Sequence, residues 1–240
     1  MTTISKIIIS VLASIFLSSC VVNFGEGKRG NGNVVSETRE VTEDFNVVHA
    51  AEGLDVYITQ GKEFSIDVEA DENIIEYINT EINDGTLRID CEEQIGRAKS
   101  KKIYVTLPEI VAINASSGSD VFGQGLIEAD KLDISSSSGA DIRIEVDTQN
   151  LTCDASSGAD IDISGNAINL RANASSGADI DGRSLTVENC TADASSGSDI
   201  SINVTKELNA SASSGADVRY SGNPEIVNKS KSSAGSVTKG

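Results

Sequence analysis

Ala155-Ser156-Ser157-Gly158-Ala159-Asp160-Ile161 decides the fold, because nearly the same seven residues return along the chain at an almost fixed interval. The first Ser of each copy falls at Ser116, Ser137, Ser156, Ser175, Ser195 and Ser213, with a worn copy at Ser232. The steps are 21, 19, 19, 20, 18 and 19 residues. Such a period marks a solenoid, in which one short unit stacks on the next and neighbouring units together bury a continuous core.

Each unit carries its own inward pattern. Five residues before the Ser pair stand Val111, Leu132, Leu151, Leu170, Cys190, Leu208 and Val227. Three before stand Ile113, Ile134, Cys153, Ala172, Ala192 and Ala210, and one before stand Ala115, Ser136, Ala155, Ala174, Ala194 and Ala212. Polar residues fill the places between, so the run is a strand with one buried face. Ser-Ser-Gly then turns the chain, with Gly supplying a backbone conformation closed to most residues. Val121, Ile142, Ile161, Ile180, Ile200 and Val218 open a second inward face, which Ile144, Ile163, Ile202 and Tyr220 continue.

The expectation is an all-β, right-handed, single-stranded parallel β-helix, or β-solenoid, with coils of ~19–20 residues and equivalent strands paired ~4.8 Å apart. Its regular coils span 109–222 and form a rod roughly 29 Å long. In the seventh copy Lys229 and Lys231 take the inward positions, where unpaired ammonium groups are not tolerated, so 223–240 reads as a C-terminal cap or frayed end.

Composition agrees: Pro is almost absent and there is no Trp. A net charge of −18 argues against a nucleic-acid partner, which selects clustered Lys and Arg. At the N-terminus, Lys6 precedes the apolar run Ile7–Phe16, too short to span a bilayer and proportioned like a signal-peptide core. It ends in Leu17-Ser18-Ser19-Cys20, which resembles a bacterial lipobox. Residues 1–19 then read as a lipoprotein signal peptide, Cys20 as the lipid-attachment residue, and the Gly-rich stretch 20–34 as a flexible tether. The expected location is the bacterial cell envelope, on the outer membrane, with the periplasmic or surface face left open.

Residues 35–240 read as one domain whose first part, 35–108, supplies N-terminal strands or a cap. Alternation marks Phe45 and Val47; Val56 and Ile58; Phe64, Ile66, Val68 and Ala70; Leu87, Ile89 and Cys91; and Ile103, Val105 and Leu107 as inward. Asp71 is expected to cap a helical turn that buries Ile74, Ile75 and Ile78, and Asn83-Asp84-Gly85 to make a tight turn. Arg97, Lys99, Lys101 and Lys102 form a basic loop, read as a solvated connection. Cys91, Cys153 and Cys190 are an odd number, so one at least stays unpaired within the chain, and the latter two read as small buried apolar residues.

The repeat places Asp120, Asp141, Asp160, Asp179, Asp199 and Asp217 at one equivalent position. Carboxylates one strand spacing apart are hard oxygen ligands, so a calcium ladder is one reading; no other cofactor is expected. The other reading is structural, with Asp and Ser satisfying turn N–H groups. The paired Gly and nine-residue period of calcium-binding rolls are missing. No catalytic residue is assigned. Catalysis by a β-helix needs unlike residues brought together, and a side chain repeated on every coil, with Arg143, Arg171, Arg183 and Arg219 isolated among them, does not supply them.

The order of these features resembles the head GIN domain family, whose members carry the label auto-transporter adhesin. The resemblance rests on Phe45-Asn46-Val47-Val48, on Gly53-Leu54-Asp55-Val56-Tyr57-Ile58-Thr59-Gln60-Gly61 and on Val68-Glu69-Ala70-Asp71-Glu72-Asn73-Ile74. It continues through Asn83-Asp84-Gly85-Thr86-Leu87-Arg88-Ile89 and Val105-Thr106-Leu107-Pro108 into the Ser-Gly-Ser-Asp and Ser-Gly-Ala-Asp coils. It implies a β-helical fold and a lipoprotein or secreted location. The expected function is a non-enzymatic, lipid-anchored, adhesin-like binding or scaffolding rod. Its partners would be the membrane through the anchor and a glycan or an envelope or host protein. The alternatives are a carbohydrate-active β-helix enzyme, a polysaccharide-binding protein, or a calcium-stabilised module.

Overall fold

Stacked in-register strands dominate the computed structural model, which describes residues 27–240. The expected signal peptide and Cys20 lie outside the described residues. The N-terminal part contains β1 (Val34–Arg39), β2 (Val47–Ala50), β3 (Asp55–Gln60), β4 (Ser65–Asp71), β5 (Ile78–Asn83), β6 (Thr86–Cys91), β7 (Lys101–Leu107) and β8 (Ala112–Ala115). The regular coils are β9 (Asp120–Ser137), β10 (Asp141–Ser156), β11 (Asp160–Ser175), β12 (Asp179–Ser195) and β13 (Asp199–Ser213). The rod closes with β14 (Asp217–Gly222), β15 (Ile226–Lys231) and β16 (Ser236–Lys239). All belong to one sheet wound into a β-solenoid of about seven coils of ~19 residues.

In the regular region each coil is one long bent strand closed by the Ser-Ser-Gly turn. Strand β10 lies parallel to β11 with Leu151 on Leu170, Ala155 on Ala174 and Ile142 on Ile161. Stacking like on like keeps every inward layer equal in width, and Leu132, Ala172, Ala192, Ile161, Ile200 and Val218 are fully buried. The second Ser of the turn and the Gly are both left-handed, at φ 56° and 69° for Ser157 and Gly158. A left-handed L-residue costs roughly 1–2 kcal/mol. Against that, the Gly158 N–H donates to the Ser176 carbonyl of the next coil at 3.2 Å, and Gly139, Gly177, Gly197 and Gly215 repeat the bond. The small residue after the Gly, which sequence assigns only to the turn, is a core residue: Ala140, Ala159, Ala178 and Ala216 are fully buried.

The first coils are stacked out of chain order. Strands β2 and β3 form one coil whose turn, Ala51-Glu52-Gly53-Leu54, has left-handed Glu52 and Gly53 in the places of Ser117 and Gly118. On one side this coil pairs with β8 and the start of β9; on the other it pairs with the later strands β6 and β7. Antiparallel β1, β4 and β5 close that end. Asp84 and Gly85 are both left-handed, making the expected tight turn between β5 and β6.

Three expectations about single residues need correction. Val48 and Ala50, not Val47, point inward after Phe45, because β2 enters the solenoid one residue later than plain alternation suggests. Ile110 is fully buried beside a half-buried Val111. Asp71 caps nothing: the helical turn shrinks to a 3₁₀ turn, Ile75–Tyr77, preceded by Ile74 without a side-chain cap. The Asp71 carboxylate is instead fully buried and accepts the backbone N–H groups of Gly32 at 2.7 Å and of Lys99 and Ser100 at 3.0 Å.

That clasp is why residues 27–34 are not tether. The Lys28 N–H donates to the Gln94 carbonyl, the Gly30 N–H to the Arg97 carbonyl, and β1 then joins β4. The Lys28 ammonium also sits 3.4 Å from the centre of the Tyr77 ring. At the other end, β15 and β16 continue the stack in register on β13 and β14, so the C-terminus is a cap coil and not a frayed end. Lys229 and Lys231 are exposed, with the Lys229 ammonium 4.7 Å above the centre of the Tyr220 ring. No helix among the described residues is long and apolar enough to cross a membrane.

Candidate functional site

Since side chains alternate across a strand, in-register coils turn each outward position into a straight row along the rod. One row is the Asp ladder. It runs through Asp120, Asp141, Asp160, Asp179, Asp199 and Asp217 as expected, and starts one coil earlier at Asp55, which pairs with Asp120. Partial burial, then repulsion from Asp141 and Asp55, pushes the Asp120 carboxyl above its ordinary value; burial with Asp141 and Asp179 does the same to Asp160. Among the described residues no three of His, Cys, Asp and Glu converge to hold a metal ion. The ladder spreads its carboxylates along a line.

Two residues further along each strand lies a row of unlike residues: Tyr104, Tyr57, Phe122, Arg143, Asp162, Asp181, Ser201 and Arg219. Tyr104 and Tyr57 are stacked with ring centres 5.1 Å apart, and Tyr57 and Phe122 at 5.2 Å. Arg143 follows Phe122 and donates through Nε and Nη2 to Asp162 at 3.0 and 2.8 Å. On the next coil Arg183 forms an ion pair with Asp181, and that guanidinium holds the Asp181 carboxyl below its ordinary value.

Here the repeat is broken. Strands β10 and β11 run level through Arg143–Asp162, Ile144–Ile163 and Glu145–Ser164. On β9, Gly123, Gln124 and Gly125 all face the single residue Ile144, and on β12 Gly182 and Arg183 face Ile163. Each is a β-bulge that makes its coil stand out from its neighbours. Two swollen coils thus flank two level ones and enclose an open hollow of about 630 Å³, lined among others by Arg143, Glu145, Asp162, Asp181 and Arg183. Glycine in the wall eases the packing, since a Cβ on Gly123 would press to 3.1 Å from the Ile144 side chain and push it aside by a few tenths of an ångström.

Sequence reasoning set Arg143 and Arg183 aside as isolated residues; the structure brings both together with three acids. The signal was the spacing. The two longest steps of the repeat, 21 and 20 residues, contain β9 and β12, the coils that bulge.

The three cysteines are free and buried among the described residues. Burial pushes the Cys91 and Cys190 thiols up to about 12, and the Cys153 thiol upward as well, so none presents a thiolate. The basic loop is tied to the clasp through the Lys99 and Ser100 N–H groups and stands away from the hollow.

A family model described as "Putative auto-transporter adhesin, head GIN domain" matches residues 44–224. No functionally curated protein matches the chain. Among solved structures, an adhesin-named protein of Bacteroides fragilis is similar at 22% identity and TM-score 0.83, covering 89% of this chain and 100% of its own. A protein of Parabacteroides distasonis titled a lipid-binding protein is similar at 20% identity and TM-score 0.71, covering 89% and 99%. An adhesin-named protein of Parabacteroides merdae is similar at 18% identity and TM-score 0.70, covering 89% and 98%. At these identities the likeness is one of fold.

Proposed function

Because the chain belongs to the head GIN domain family of auto-transporter adhesins, we propose that it is a non-enzymatic binding protein of the bacterial envelope, anchored by lipid at Cys20. In this reading the rod holds a rigid, laterally regular face away from the membrane, and the clasp at Asp71 fixes the end from which the anchor emerges. The observation that carries the binding reading is the hollow between the bulged coils, where the repeat gives way to unlike polar side chains on a rigid sheet.

Binding is favoured over turnover by the ion pairs that engage two of the three acids lining the hollow, Asp162 and Asp181. Cleavage of a glycosidic bond calls for a carboxyl group raised so that it can donate a proton. Asp181 is instead lowered by Arg183, and Asp162 is engaged by Arg143.

Attachment of intact cells to immobilised mucin tests the proposal, comparing cells with the chain, cells without it, and cells carrying Cys20→Ser. Loss of attachment on deletion, with the Cys20→Ser chain no longer in the membrane fraction, is expected. Equal attachment in all three, or release of reducing sugar from a polysaccharide by the purified chain, would overturn it.

A further inference from the structure

We infer that the hollow between the bulges of β9 and β12 is a binding site for a neutral glycan; the inference rests on the adhesive reading and gives that reading its ligand class. One adjacent donor–acceptor pair is on offer there, Arg143 with Asp162, because Arg183 already holds both oxygens of Asp181. Arg143 spends Nε and Nη2 on one oxygen of Asp162, so the guanidinium Nη1 and the other carboxylate oxygen keep no partner among the described residues. A carboxylate oxygen beside a guanidinium N–H matches two neighbouring hydroxyls of a sugar ring, one donating and the other accepting.

Rigidity favours the same ligand. Arg143 and Asp162 are register neighbours on paired strands, so little backbone freedom is lost there on binding, while Arg183 stands on the bulge of β12. An open hollow of about 630 Å³ lies within the ordinary size range of ligand sites. Phe122, the register neighbour of Arg143, ends the aromatic row beside the hollow, stacked on Tyr57, and the apolar atoms of Ile144 and Ile163 line the hollow itself.

Charge selects among glycans. The hollow holds three carboxylates against two guanidinium groups, and both guanidinium groups are already paired with carboxylates. Asp141, Asp160 and Asp179 stand two residues away on the same outward face. Uronate, sialyl or sulfate groups would meet that field, which repels them, whereas hexoses and N-acetylhexosamines do not.

The test uses the full chain, solubilised from membranes, on an array of neutral and acidic oligosaccharides. Calorimetry follows with the neutral oligosaccharide that binds most strongly. Arg143→Met and Asp162→Asn should each weaken that binding at least about tenfold, as expected for loss of a charge-assisted hydrogen bond. Their melting temperatures should stay within a degree or two of the parent. Arg219→Met, in the same row but outside the hollow, should bind as the parent does. The inference is overturned if only acidic oligosaccharides bind, if nothing binds, or if all variants bind alike. Cell attachment separates the two claims: attachment that needs the chain but survives Arg143→Met removes the hollow and keeps the adhesive reading. Attachment indifferent to the chain, with calorimetric binding lost in Arg143→Met, keeps the hollow and removes adhesion.

Discussion

Replacing Asp71 by Ala should open the N-terminal clasp while leaving the regular coils intact. The carboxylate is fully buried and accepts three backbone N–H groups, from Gly32, Lys99 and Ser100. An orphaned buried donor costs about 1–3 kcal/mol, and only the Ser100 bond is buried while those of Gly32 and Lys99 are part-buried, so the loss is about 1–3 kcal/mol. Stacked coils hold chiefly to their neighbours, so the effect should be confined to the capped end. Hydrogen exchange read by mass spectrometry should therefore show faster exchange in residues 27–33 and 97–100, and unchanged protection in β10 to β13. Burial raises the Asp71 carboxyl, but the three N–H groups outweigh it and hold the group below its ordinary value. The stabilisation is thus complete above the unfolded value of ~3.9 and is lost as pH falls through the lower folded value. Acid, not base, should open the clasp in the parent, and Asp71→Ala should lose that pH dependence. Unchanged exchange in 27–33 and 97–100 would refute the reasoning.

Other positions carry further tests. Ile161→Ala, at a fully buried position, should cost about 2–5 kcal/mol in chemical denaturation. Ile226→Ala, at a half-exposed position on the cap coil, should cost well under ~1 kcal/mol; equal costs would contradict the assigned core. Gly165→Ala should destabilise more than Gly158→Ala, because a Cβ on Gly165 would collide with the Val146 carbonyl oxygen while one on Gly158 meets open space. Asp160→Asn should raise the melting temperature at neutral pH, since burial and like-charged neighbours disfavour that carboxylate in the fold. The gain should disappear below the ordinary carboxyl range and shrink in high salt. Melting in millimolar calcium should match melting in chelator, because no three acidic groups converge among the described residues; a rise of several degrees would reinstate the calcium ladder.

The regular coils were legible because a solenoid repeats its local chemistry: the same turn, Asp and inward Ile or Val return in every unit. The β2–β3 coil was not, because its Ala51-Glu52-Gly53-Leu54-Asp55 keeps only the Gly and Asp of that signature. Its neighbours also come from distant parts of the chain. Asp71 was misread because an acid before an apolar run resembles a helix cap, and nothing local reveals that Gly32, Lys99 and Ser100 will converge on it. The hollow was hidden for a similar reason. Arg143, Asp162, Asp181 and Arg183 become neighbours only once the coils are stacked, and the bulges that shape their surroundings register in the sequence only as two slightly long steps.

The measurement that bears most directly on the account is antibody labelling of the folded domain on intact and on permeabilised cells, with a periplasmic protein as the control. A surface-anchored binding rod predicts full labelling of intact cells while the control stays dark. Labelling that appears only after permeabilisation would contradict adhesion and place the rod and its hollow among periplasmic partners.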